Sequence, residues 1–200
     1  MKRKVNQCQD ASTKTQNTKH KTLNSPQFPQ TTRFLHLCKY KTKSMNAHKE
    51  YMKMAADLAR ENVLKGGGPF SAVIVKDGEV IATGCNRVTD KHDPTAHAEI
   101  EAIRKATKKL STHDLSGCSI YASCEPCPMC LGAIYWARLD QLFFGNTRKD
   151  AASIGFDDEF IYHELEKPID QRSIPTQQIV TENIKHAFEH WAKIDDKQEY

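Results

Sequence analysis

The residues with the strongest chemical meaning are Pro94-Thr-Ala-His97-Ala-Glu99 and, thirty residues after the histidine, Cys124-Glu-Pro126-Cys127-Pro-Met-Cys130. Together they offer one imidazole and two thiols to a metal, with a carboxylate two positions from the imidazole. Three protein ligands leave the fourth tetrahedral position open to water, the pattern of a catalytic zinc ion. Cys127 and Cys130 are three apart, so on one helical turn their sulfurs face the same way. The His97 and Cys127 turns both fall at predicted helix starts, where backbone N–H groups and the helix dipole favour thiolate over thiol. Zinc in such a set lowers the pKa of bound water to about 7. Glu99, not needed as a ligand, can accept a proton from that water and return it later in the same turnover. The plainer alternative is a structural zinc knuckle with Glu99 as a solvated helix residue. Such a site normally has a fourth Cys or His, and only His92 and Cys124 are near enough to serve.

The surrounding pattern predicts the elements that hold these groups. Tyr51, Met54, Ala55, Leu58, Ala59 and Val63 recur at helical spacing, and Gly66-Gly67-Gly68-Pro69 ends that helix. Residues 70–75 and 80–83 read as strands joined through an Asp77-Gly78 hairpin turn. A helix is expected after Pro94, containing His97, Ala98, Ile100, Ala102, Ile103 and Ala106. A strand follows over 118–123, and Pro126 opens a second buried helix through Cys130, Ala133, Ile134 and Trp136. Another strand covers 139–145. Further on, 156–162 reads as a short helix with an acidic face, Pro168 and Pro175 bracket an extended connection, and 183–194 has helical spacing. The alternation implies an α/β fold, a three-layer α/β/α sandwich with a central mixed β-sheet.

Charge divides the chain sharply. Residues 1–44 hold ten Lys/Arg and a single acidic residue, Asp10, for a net +9, whereas the other 156 hold nineteen Lys/Arg against 24 Asp/Glu, for −5. The first segment is rich in Lys, Thr, Gln and Asn and is expected to be a disordered basic extension. Two origins stay open for it: a faintly transit-like arm, or an upstream extension ahead of a true start at Met45. Residues 45–200 form the expected catalytic domain, whose negative charge argues against nucleic acid as a partner. No apolar run approaches the ~20 residues that span a membrane, and no signal-peptide core is visible. The seven cysteines, with Cys8, Cys38, Cys85, Cys118 and Cys124 outside the metal set, show no disulfide spacing, so a reducing cytoplasmic setting is expected.

On these residues the chain resembles the cytidine/deoxycytidylate deaminase superfamily, whose signature is H-x-E followed by P-C-x-x-C. Within it, residues 45–200 are most similar to bacterial guanine deaminases. The similarity is carried by Gly67-Gly-Pro-Phe-Ser-Ala-Val-Ile-Val-Lys-Asp-Gly78, Asp93-Pro-Thr-Ala-His-Ala-Glu99, Ser123 through Arg138, Gly155-Phe-Asp-Asp158 and the terminal Tyr200. One departure is Ser71, where that group commonly has Gly. The resemblance implies one Zn2+ per subunit on His97, Cys127 and Cys130, and hydrolysis of guanine to xanthine and ammonia. It implies attack of zinc hydroxide at C2 with Glu99 as proton shuttle. It implies that Asn86, the Ala98 backbone, Phe70, Trp136 and Asp158 surround the purine, that Asp158 assists proton transfer, and that Tyr200 closes the pocket. It also implies a homodimer that exchanges a C-terminal segment of about 168–200.

Three other functions compete. A guanosine deaminase would need room for ribose. A tRNA adenosine deaminase would need cationic surface for phosphates, which the −5 domain lacks unless the +9 extension supplies it. A structural zinc module would perform no catalysis at all.

Overall fold

The computed structural model describes residues 45–198. The basic extension over 1–44 and Tyr200 lie outside the described residues. A four-stranded mixed sheet in the order β2-β1-β3-β4 forms the middle layer. β1 (Ser71–Lys76) pairs antiparallel with both β2 (Glu79–Cys85) and β3 (Cys118–Cys124), while β3 runs parallel to β4 (Gln141–Asn146). Helix α1 (Met45–Leu64) covers one face. Helices α3 (Ala98–Leu110) and α4 (Pro128–Trp136) cover the other, and α2 (Val88–Lys91) is a single turn leading into the α3 loop. The expected three-layer sandwich is therefore observed.

Alternation along the strands sorts the core into two halves. Val73, Val75 and Tyr121 pack under α1 with Ala55, whereas Ala72, Ile74 and Ile120 pack under α3 and α4 with Ala102, Ala106 and Ile134. β3 is buried along its whole length, as expected of an interior strand covered on both faces. The β1–β2 turn has Asp77 at φ 50 and Gly78 at φ 93. Positive φ at both central positions suits the twist of a two-residue hairpin. Ser71, the departure noted above, is accommodated: its hydroxyl donates to the Ala55 carbonyl of α1, and its N–H donates to Ser123 Oγ at 3.0 Å.

Register decides which segments meet. Ser71 pairs with Cys85, and Ala72 pairs with both Gly84 and Ala122. The start of β1 and the ends of β2 and β3 therefore emerge at one end of the sheet, placing Phe70, Asn86 and the 125–127 loop together.

Several boundaries differ from the sequence reading. α4 starts at Pro128, with Cys127 as its N-cap at φ −64, ψ 168. A residue preceding proline is pushed out of the helical region, so Cys127 cannot join the helix. The cysteines thus occupy the N-cap and third helical positions. The acidic Phe156-Asp157-Asp158 stretch lies before α6 (Glu159–Glu166), which follows the short α5 (Arg148–Ser153). The C-terminal helix α7 is confined to His186–Ala192. No residue from 168 to 198 is buried within the subunit. Among the described residues no helix is long and apolar enough to cross a membrane.

Candidate functional site

His97 and Cys127 are the N-caps of α3 and α4, both in extended backbone conformation. Two helix N-termini therefore converge on one point, as their sequence positions imply. His97 Nδ1 lies 3.5 Å from Cys127 Sγ and 3.6 Å from Cys130 Sγ. These are the ligand-to-ligand separations that a tetrahedral ion imposes, since Zn–S bonds of about 2.3 Å and Zn–N bonds of about 2.05 Å set N and S roughly 3.5 Å apart. His97, Cys127 and Cys130 are also the one group of three or more His, Cys, Asp or Glu side chains able to hold a metal ion among the described residues. The donor set thus fits zinc in both chemistry and spacing.

Electrostatics at the cluster favour a cation. A hydrogen bond from Cys130, then one with His97, pulls the Cys127 thiol down to about 4, so it is a thiolate at neutral pH. Cys130 is pushed up by its bond to Cys127 and by burial. His97 is raised, chiefly by its hydrogen bond with Cys127. Glu99 is buried on the first turn of α3, accepts a hydrogen bond from Cys130 at 3.4 Å, and is pushed up by burial.

The cluster opens into a cavity of about 690 Å³. His97, Glu99 and Cys127 line it, together with Phe70, Asn86 and Asp158. The cavity thus unites three elements of the sheet end with the loop before α6. Burial, then the nearby Cys127, pushes the Asp158 carboxyl above its ordinary value. Asn86 accepts the Val88 N–H on Oδ1 at 3.2 Å, which leaves its Nδ2 group for a ligand. Ala98 is fully buried at the first turn of α3, where backbone N–H groups have no intrahelical partner. Trp136 is not brought to this cavity within the subunit: it sits at the end of α4 and is 67% exposed. α4 is apolar nearly all round, so its sequence could not reveal which face turns inward.

Sequence reasoning missed several supports of the pocket. Phe156 packs edge-on against Phe70 with ring centroids 4.8 Å apart, holding the Asp157-Asp158 loop to the start of β1. Tyr162 on α6 donates to the Pro126 carbonyl at 3.4 Å and lies beneath the Arg148 guanidinium. Glu125 accepts the Arg148 N–H at 3.1 Å. The adjacency of Phe156 to the two aspartates was the only available signal for any of these.

Residues 45–146 match the family model described as the cytidine and deoxycytidylate deaminase zinc-binding region. The chain belongs to the cytidine and deoxycytidylate deaminase family. The deaminase is 53% identical over 154 residues to guanine deaminase of Bacillus subtilis, spanning 76% of this chain and 99% of that protein. A crystal structure of guanine deaminase from Bacillus subtilis superimposes with a TM-score of 0.75 at 52% identity, covering 76% of this chain and 98% of that one. A tRNA-specific adenosine deaminase of Aquifex aeolicus is 43% identical over 102 residues, covering 50% of this chain and 68% of that protein. The fold, the family and the zinc-type donor set therefore agree that this chain is a deaminase enzyme.

Proposed function

We propose that this deaminase hydrolyses guanine to xanthine and ammonia, with residues 45–200 as the catalytic domain. The observation that carries the reading is the gathering of Phe70, Asn86 and Asp158 in one cavity with His97, Glu99 and Cys127. Near-complete coverage of a guanine deaminase supports it. His97, Cys127 and Cys130 would hold one zinc ion, which when bound acidifies water and presents it as a nucleophile. Phe70 packs against the purine ring, while the Asn86 amide and the Ala98 backbone hydrogen-bond its edge. Asp158 accepts from the guanine amine side and assists proton transfer. Glu99 takes a proton from the attacking water and passes it to the ring nitrogen next to C2. It then takes the second proton from the hydroxyl added at C2, as that becomes the carbonyl, and delivers it to the departing amine, so that water and guanine are converted to xanthine and ammonia with no other reactant. Burial raises the proton affinity of the Glu99 carboxylate, which suits it to accept the proton from water.

The C-terminal segment supports a homodimer with exchanged arms. Ile174, Ile179, Val180, Phe188 and Trp191 are all exposed within the subunit, as are Tyr135 and Trp136 on α4. An apolar surface of this extent calls for a partner, and a second copy would bring Tyr200 and Trp136 to a pocket as lid and wall. The free cysteines Cys85, Cys118, Cys124, Cys127 and Cys130 are consistent with the cytoplasm.

The test is ammonia release from guanine, guanosine, cytidine, adenine and an adenosine-bearing tRNA stem-loop in parallel. Guanine is expected to be preferred, and a preference for guanosine or RNA overturns the reading. Deleting Tyr200 is expected to impair turnover while metal content stays at one ion per chain; unchanged kinetics would remove the lid.

A further inference from the structure

We propose that Asn62, which does not line the cavity, is the positioning residue that sets Asn86 and the glycine loop for substrate binding. This rests on the reading in which Asn86 contacts the purine. Asn62 sits in the last turn of α1 and is only 5% exposed. A buried amide is costly unless its hydrogen-bonding groups are used. Its Nδ2 donates twice, to the Gly68 carbonyl at 2.8 Å and to the Asn86 carbonyl at 3.1 Å. Gly68 and Asn86 both line the cavity, so one buried amide joins two separate segments of its wall.

The backbone of Asn62 holds the same loop. Its carbonyl accepts the Gly67 N–H at 2.9 Å, while the Gly66 N–H bonds the Val63 carbonyl at 2.9 Å. Gly66 has φ 83, and this pair of bonds around a left-handed residue is the motif that closes a helix and aims the chain leaving it. Asn86 in turn donates its N–H to the Phe70 carbonyl at 3.0 Å. With its carbonyl, N–H and Oδ1 all committed, Asn86 has a fixed backbone from which to present Nδ2.

Gly67 provides an independent mark of the same device. A Cβ at Gly67 would lie 2.4 Å from Asn62 Nδ2 and 2.8 Å from its Cγ. Gly67 is not among the glycines with positive φ, so alanine there is limited by contact with the Asn62 amide and not by backbone conformation. Only hydrogen at position 67 lets the amide reach past the loop to both carbonyls.

Four variants of the full chain test this: Asn62→Asp, Gly67→Ala, Asn86→Ala and the double variant Asn62→Asp/Asn86→Ala. Asn62→Asp keeps the shape but turns a double donor into an acceptor facing two carbonyls. Zinc content, melting temperature, and kcat and KM for guanine are measured on each. Asn62→Asp and Gly67→Ala are expected to retain full zinc and a kcat within about twofold, while KM rises about tenfold, since a group that binds ground and transition state alike acts on KM. The double variant should have a KM no higher than Asn86→Ala alone, because both changes remove one function. A lowered melting temperature with unchanged KM in Asn62→Asp and Gly67→Ala marks a merely structural role and overturns the proposal. Additive KM effects in the double variant overturn it as well. If Asn86→Ala leaves KM unchanged while the wild type turns over guanine, the Asn86 contact is wrong and the route through which Asn62 acts falls with it. Should Asn62→Asp not fold, Gly67→Ala decides alone, its KM rise supporting the proposal and an unchanged KM ending it.

Discussion

Gly84→Ala should disable the metal centre although Gly84 is not part of it. A Cβ at Gly84 would lie 2.0 Å from the Ala98 carbonyl oxygen and 2.6 Å from the Ala102 N, both backbone atoms of α3. Ordinary contact begins at 3.4 Å, so relief of the 2.0 Å contact requires β2 and α3 to separate by about 1.4 Å. β2 is an edge strand but is paired with β1 along its length, and Ala98, Ala102 and Ala106 press α3 close to the sheet. The displacement therefore falls largely on the first turn of α3, which carries Glu99 and is capped by His97. The His97 to cysteine separations of 3.5 and 3.6 Å, which match a tetrahedral ion, would open even if only half the movement reached them. Overpacking of this kind costs about 1–3 kcal/mol, a melting decrease of roughly 2–12 °C for a domain of this size. Misplacement by about 1 Å costs on the order of 100-fold in turnover. Metal content by plasma mass spectrometry, guanine consumption by ultraviolet absorbance and thermal melting measure the three effects. A Gly84→Ala protein with one zinc per chain and kcat within twofold of wild type would refute the reasoning.

Glu99→Gln should keep the fold and the metal yet lose about 10²- to 10⁴-fold in kcat; a loss below tenfold would remove Glu99 from the proton relay. Tyr121→Ala should cost about 3–5 kcal/mol in denaturant unfolding, because the ring stacks on Phe143 at 4.9 Å and its hydroxyl is hydrogen-bonded to His48 Nδ1 at 2.8 Å. Its kcat per folded molecule should be unchanged, since Tyr121 packs beneath α1 on the face opposite α3. Glu101 is driven upward by burial, but Lys91 at 2.7 Å and Arg104 at 3.3 Å outweigh this and hold it below its ordinary value. A carboxylate lowered on folding stabilises above its unfolded range and loses that contribution as pH falls through the folded value. Glu101→Gln should therefore cost about 1–2 kcal/mol near neutrality, and its melting curve should converge with wild type in acid; a gap that persists at low pH would contradict the ion pairs.

The ligands, their helix-start positions and the sandwich architecture were legible because each depends on neighbours in sequence. Cys127 and Cys130 are three residues apart and α3 shows its buried stripe in Ala98, Ala102 and Ala106, whereas the helix expected to open at Pro126 opens at Pro128 with Cys127 as its N-cap. Backbone hydrogen bonding and proline sterics act over a few residues, so short motifs carry them. What lay beyond the sequence depends on approach between distant segments. Antiparallel register brings Phe70 and Asn86 to the end of β3. Phe156 meets Phe70 across the cavity, and the amide of Asn62 reaches two carbonyls, one of them 24 positions away. Trp136 turned outward on a helix whose composition is apolar on every side. The sequence by itself pointed to His97, Cys127 and Cys130 as a candidate donor set, because two short motifs carry them. Only the tertiary structure decided which walls face them, because close packing is settled between elements and leaves no period along the chain.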